Sequence, residues 1–303
     1  LSVFSRVVVA TAHARPVEKM ITGTRPGKSV ARRYVAGDTL GEAVSVAREL
    51  NATGCHVSLD LLGEECHDRA SAISARDEYL EGLEEIVGQG LRSNISIKLT
   101  QLGLALDSGI TRELLDTLAV RAAELGITVT IDMEDSRYTE ATVDLYEEAQ
   151  RRHGNLGLAL QAYLHRTPDD MRRLIPLGGH IRLCKGAYVE HSDVALTSKH
   201  EVDEAFAAQL KTLMTDDRIR PAIATHDEQM VRLTRELAPG RDQPFEFQML
   251  YGVRTALQRE LVEEGFALRV YLPFGSQWYP YLTRRLAERP SNAWFFVRSM
   301  IGR

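Results

Sequence analysis

The stretch from Asn94 to Asp132, NISIKLTQLGLALDSGITRELLDTLAVRAAELGITVTID, decides the fold. It opens on a short β-branched run, Asn94 to Leu99, crosses a segment with apolar residues at helical spacing, Thr111 to Gly126, and returns to a second apolar run, Thr128 to Asp132. Each run has a polar residue at its tip, Lys98 in the first and Asp132 in the second, and the helical segment stops at a glycine. The same alternation continues on both sides. Further strands are expected at His56 to Asp60, Gly157 to Tyr163, His180 to Lys185, Ala222 to His226, Phe245 to Leu250 and Leu268 to Pro273, with helices such as Ser71 to Gly88, Glu140 to His153 and Val202 to Leu213. About eight strands alternating with helices is the pattern of an α/β protein whose parallel sheet closes into a (βα)8 TIM barrel.

A doubly wound open sheet also alternates, but its glycine-rich phosphate turn is missing: Gly88-Gln89-Gly90 is followed by Asn94 where the third glycine is required. Residues 1 to 50 do not alternate. Pro16, Gly23, Pro26, Gly27 and Gly37 break them up before the helical run Leu40 to Leu50, so they are expected to form an N-terminal arm, with the barrel over 51 to 303. No repeat or linker marks a second domain.

With 37 Lys+Arg against 42 Asp+Glu in 303 residues, the net charge of −5 favours neither nucleic acid nor an acidic tail. No apolar run approaches a membrane span; Val7 to Ala12 is flanked by Arg6 and His13. Cys55, Cys66 and Cys184 form no CxxC pair, which argues against a disulfide framework or zinc cage and for a cytoplasmic setting. The chain begins at Leu1 without a secretory signal pattern, and further residues are expected before it.

Barrel chemistry comes from the carboxyl ends of the strands. The tips carry Asp60 and Glu64, Lys98, Asp132 and Glu134, Gln161, Arg182 and Lys185, Thr225 and His226, Gln248 and Tyr271. Any one could be a satisfied core group, but buried charge is costly and so many charged tips point to a site. Near the C-terminus, Tyr281, Arg284, Arg285 and Glu288 share one helical face. That face could be solvated, with Glu288 paired to Arg284, or its two guanidiniums could grip a carboxylate. Taken alone, the segment favours the solvated reading.

The ordered motifs Asp60-Leu-Leu-Gly63-Glu64, Ile95-Ser-Ile-Lys98-Leu99, Ile131-Asp132, Gln161-Ala-Tyr163, Arg182-Leu-Cys-Lys185-Gly186-Ala187-Tyr188, Ala224-Thr225-His226, Phe245 to Leu250, Tyr271-Leu-Pro-Phe-Gly275 and RRLAERP from Arg284 jointly resemble bacterial proline dehydrogenase. The resemblance runs from about residue 33 to the C-terminus. It implies a distorted (βα)8 barrel with FAD at the strand C-termini, the last helix over the mouth, and oxidation of L-proline to 1-pyrroline-5-carboxylate. The implied catalytic pair is Asp132 and Arg182, and the implied carboxylate contacts are Lys98, Arg284 and Arg285. Leu250, Tyr271 and Tyr281 match positions beside the proline ring, and Glu64 matches a gate that pairs with Arg284. Implied flavin contacts are Met133, Gln161, Arg182, Lys185, Gly186, Ala187, Thr225 and His226, with Thr197 and Lys199 near the pyrophosphate. Cys184 stands where an aliphatic residue is usual and is expected to be a buried packing thiol. The chain is expected to be monofunctional. A quinone electron acceptor, peripheral contact with the inner membrane and a separate pyrroline-5-carboxylate dehydrogenase are further implications.

The chemistry is consistent with this. Oxidising a C–N bond needs a hydride acceptor that no side chain provides. Asp132, among cations, is expected to have a lowered pKa and to orient neighbours rather than act as a base. The rival from another class is a class I aldolase using Lys98 or Lys185 as a Schiff base. No metal is expected, because His56 and His226 stand apart without an HxH pair.

Overall fold

Each strand alternates apolar residues with polar or small ones, and a computed structural model shows what the alternation does. The structure describes residues 31–63 and 65–288, of which 284–288 are described by backbone alone. Eight parallel strands, β1 (His56–Leu61), β2 (Ser93–Ile97), β3 (Val129–Ile131), β4 (Leu156–Gln161), β5 (His180–Cys184), β6 (Arg220–Ala224), β7 (Glu246–Leu250) and β8 (Leu268–Phe274), pair in sequence order and close by β8 onto β1. Every expected strand is present, its ends within two residues of the expectation.

One set of alternating residues, including Val57, Leu59, Ile95, Ile97, Val129, Ile131, Ile181, Leu183, Phe247 and Val270, packs in the core shared with the helices. The opposite set faces the barrel axis: Ser58, Asp60, Asn94, Ser96, Lys98, Thr130, Asp132, His180, Arg182, Glu246, Gln248, Arg269 and Tyr271. Barrel interiors are ordinarily filled by branched aliphatic side chains, and here polar groups replace many of them. Burial then requires them to bond one another, as Asn94 does to Thr130 at 3.0 Å and Arg269 to Glu246 at 2.7 Å.

The helices are α1 (Leu40–Ala52), α2 (Arg69–Gly88), α3 (Ser108–Glu124), α4 (Ser136–His153), α5 (Thr167–Leu174), α6 (Lys199–Thr215), α7 (Glu228–Leu237), α8 (Thr255–Glu263) and α9 (Trp278–Glu288). Loops leaving the strand tips run into side-chain N-caps: Asp68, Asp107, Asp135, Ser198 and Asp227 satisfy backbone N–H groups at the starts of α2, α3, α4, α6 and α7.

Residue 50, expected as the end of the arm, lies inside α1. A capping box between Thr39 and Glu42 starts that helix, and fully buried Ala43 and Ala47 let it pack closely on β1 and β8. It thereby fills the place of the outer helix that should follow β8. The helix that does follow, α9, instead joins Ala31, Tyr34, Val35 and Leu62 in a separate apolar cluster at the mouth. Residues 1–30, most of the expected arm, lie outside the described residues.

Candidate active site

Six strands deliver polar side chains to the mouth, and four of these groups, Ser96, Lys98, Arg182 and Tyr271, bond to Asp132. It stands one residue beyond β3, its backbone N–H donating to Ile97 O at 2.9 Å. Its Oδ1 accepts from Ser96 Oγ at 2.7 Å and from Arg182 Nη1; its Oδ2 accepts from the Tyr271 hydroxyl at 2.6 Å and from Lys98 Nζ at 3.3 Å. Lys98 Nζ also donates to Asp60 Oδ1. The Arg182 guanidinium stacks 5.3 Å from the centre of the Tyr271 ring, and its Nε donates to Gln248 Oε1 at 2.5 Å.

Burial alone would push the Asp132 carboxyl up, but Lys98 and Arg182 overcome it and hold the group below the usual carboxylate range. Asp60 goes the other way: burial dominates, Lys98 offsets only part, and the Asp132 charge adds to the rise. Burial likewise opposes the charge on Lys98, yet Asp60 and Asp132 together raise it above an ordinary lysine. Burial, then the neighbouring carboxylates, keep the Tyr271 hydroxyl protonated. The result is two carboxylates and two cations locked together, with Tyr271 as a donor.

Above this cluster lies a cavity of about 690 Å3, within the range of cofactor and ligand sites. Lys98, Asp132, Met133, Arg182, Lys185, Gly186, Ala187, Thr225, His226, Leu250, Tyr271 and Tyr281 all line it, so the structure brings together most of the expected residues. Gln161 lies beneath the lining: its amide accepts from Ala187 N at 3.3 Å and donates to Glu134 O at 2.8 Å. Lys185 reaches Asp227 at 2.7 Å and also pairs with Asp203, which is shared by Lys199 at the start of α6. His226 Nε2 accepts from Leu250 N at 3.0 Å, tying the β6 and β7 tips together. Cys184 differs from expectation: it is half-buried and lines the cavity, because inward parity on β5 places it there after His180 and Arg182. Glu64 lies outside the described residues, as do the side chains of Arg284 and Arg285; the backbone of the latter two continues α9, whose Pro280 and Tyr281 line the cavity.

Two observations bear on a bound group. Arg182 Nη2 is buried and has no hydrogen-bond partner among the described residues. Gly186, which lines the cavity, adopts φ +124°, and a Cβ there would collide with the Tyr163 ring, so the loop packs on that ring only with glycine at this point. The first fits a polar cofactor seated beside the tip of β5, and the second explains the glycine in the loop that borders it. Among the described residues no cluster of metal-ligating side chains occurs.

Sequence reasoning did not single out Ser96 as a partner of Asp132, or Glu246 and Arg269 below it. The available signal was parity: Asn94, Ser96 and Lys98 alternate with Ile95, Ile97 and Leu99, so one polar stripe enters the barrel.

The fold and the strand-tip site define a (βα)8-barrel enzyme. Residues 43–298 match the proline dehydrogenase family, and the chain belongs to it. It is 38% identical to proline dehydrogenase 1 of Bacillus subtilis, covering 92% of each chain, and 33% identical to proline dehydrogenase of Deinococcus radiodurans over 98% of this chain and 97% of that one. In fold it is similar to proline utilization A of Bdellovibrio bacteriovorus, with a TM-score of 0.81 at 23% identity, covering 86% of this chain and 33% of that one. The reaction is therefore the oxidation of proline, the first step of proline catabolism. Against the aldolase alternative, Lys98 is held protonated by two carboxylates, whereas a Schiff-base lysine needs a depressed pKa.

Proposed function

We propose that the cavity binds FAD non-covalently and presents L-proline to it, giving 1-pyrroline-5-carboxylate. The observation that carries this reading is the Arg182 guanidinium in the cavity lining, its Nε and Nη1 engaged and its buried Nη2 without a partner among the described residues. Bound there, FAD supplies the hydride acceptor that side chains lack. Arg182, Met133, Lys185, Gly186, Ala187, Thr225 and His226 line the space it would take, with Gln161 bracing the Ala187 backbone from beneath. Arg182 stabilises negative charge that develops during the reaction through a preorganised donor.

Asp132 accepts four hydrogen bonds and has a lowered pKa, so it orients Arg182, Lys98 and Tyr271 rather than taking the substrate's proton. Leu250, Tyr271 and Tyr281 border the space for the pyrrolidine ring. Lys98, with Arg284 and Arg285 of α9, would hold the proline carboxylate, and Glu64 would close the site; for the two arginines and Glu64 the support is the family resemblance and the course of α9. Reoxidation by a quinone, a cytoplasmic location with peripheral inner-membrane contact, and hand-over of product to a separate pyrroline-5-carboxylate dehydrogenase complete the reading. Among the described residues no helix is long and apolar enough to cross a membrane.

The test is the absorption spectrum of the protein after exposure to FAD. Oxidised-flavin bands are expected, and they should bleach anaerobically on adding L-proline and return on adding a soluble quinone. Protein that takes up no FAD would overturn the assignment.

A further inference from the structure

Beneath the mouth, the inward-facing polar residues form a continuous column that the reaction scheme does not use. At its base Glu246 on β7 is gripped by Arg269 on β8, with Nε at 2.7 Å and Nη2 at 3.1 Å. Arg269 is anchored in turn on Val57 O at 2.8 Å and Asn94 Oδ1 at 3.2 Å. Gln248, two residues above Glu246 on the same strand, joins this base to the site. Its Nε2 donates to Glu246 Oε1 at 2.6 Å and lies 3.3 Å from His180 Nε2, while its Oε1 accepts from Arg182 Nε at 2.5 Å.

We propose that Gln248 is a positioning residue for proline oxidation: it fixes the plane of the Arg182 guanidinium, which lines the cavity, against the Glu246–Arg269 pair. The inference rests on the role given to Arg182 above. An amide is suited to this place because it must accept on one side and donate twice on the other. A hydroxyl is too short, and a carboxylate would face Glu246 as a like charge. Neutral His180 can accept the second amide hydrogen, since burial, the leading influence, lowers its pKa to about 4.

The strand between makes the contact possible. β6 lies between β5 and β7, and at the inward positions beside Arg182 and Gln248 it carries only Ala222 and Ala224. Arg182 and Gln248 therefore meet across β6 without obstruction. With Nε held by Gln248 and Nη1 by Asp132 and Ser96, the planar fork is constrained at two of its three nitrogens where Arg182 lines the cavity.

Gln248→Met and Gln248→Glu, each in the full chain with FAD, test this. Two readouts are used: hydrogen-exchange protection of the Arg182 Nε–H by NMR, assigned with Arg182→Lys, and the anaerobic rate of flavin reduction by L-proline. The methionine variant should retain FAD and melt near wild type, while protection and reduction rate each fall by about tenfold or more, as expected when a group at the reacting centre loses its fixed geometry. Glutamate, which keeps an acceptor for Arg182, should restore part of both. A folded methionine variant with wild-type protection, or with a wild-type reduction rate, overturns the inference. If methionine prevents folding, the glutamate variant decides by the same readouts: intermediate values support the proposal and unchanged values overturn it. Should the wild-type protein bind no FAD, the proposed function fails, and the Nε–H protection still judges whether Gln248 holds Arg182.

Discussion

Lys98 is the residue whose removal should be felt most widely, because two buried carboxylates depend on it. Lys98→Met would leave Asp60 and Asp132 facing each other without the ammonium between them. Breaking a buried pair by deleting one partner costs roughly 3 to 5 kcal/mol, far more than the same change on the surface, because the remaining charge stays buried. Urea denaturation should show a loss of that size, and the surviving folded protein should have lost at least tenfold in kcat/KM for L-proline. A stability within 1 kcal/mol of wild type would mean that water reaches the carboxylates. The charged tips on which this depends stood out in the sequence because lysine and aspartate rarely end buried strands. Ser96 did not, and although Gln248 stood among the tips its partner was not legible: both are ordinary polar residues whose importance comes from facing Asp132 and Arg182 on strands far away in the chain.

At the scale of elements, the β5 tip and its loop carry the closest packing of backbone on ring. Gly186 at φ +124° rests on Tyr163, so Gly186→Ala would combine a strained backbone with a steric collision. The expected result is a loss of about 1 to 3 kcal/mol and weaker FAD retention, with far-UV circular dichroism unchanged. Equilibrium dialysis with FAD and denaturation of both proteins measure this. All eight strands were readable in advance because each is a short run of apolar or β-branched residues with a polar residue near its carboxyl end. The role of α1 was not. Its amphipathic pattern announces a helix with one buried face, but that the face meets both β1 and β8 depends on barrel closure, which no local pattern records.

For the whole molecule, the polar interior predicts acid sensitivity beginning at mild pH. Buried His180 has its pKa lowered from 6.5 to about 4, so below pH 6.5 the unfolded chain binds a proton that the folded chain refuses. Stability is therefore complete above pH 6.5 and is lost as pH falls toward 4, by on the order of 3 kcal/mol in total. His56, also lowered by burial first, acts in the same direction. Glu246 then adds a second loss. Burial opposes its ionisation, Arg269 prevails, and its pKa of about 2 makes its contribution disappear as pH drops from about 4.5 toward 2. Urea midpoints measured from pH 8 to 5 should decline, and His180→Gln, which keeps an acceptor for Gln248, should flatten much of that decline.

The seam between β1 and β8 joins the earliest described strand to the latest, and α1 is laid across it. During synthesis, β1 and α1 leave the ribosome long before the residues they must pair with exist. At 5 to 20 residues per second, the interval before Leu268 is made is roughly 10 to 40 s. Throughout it β1 lacks the β8 edge it pairs with, and the apolar face of α1 has only half its docking ground. Closure of the barrel is thus a late event in the life of each molecule, and the same event draws together the six strands that build the site around Asp132.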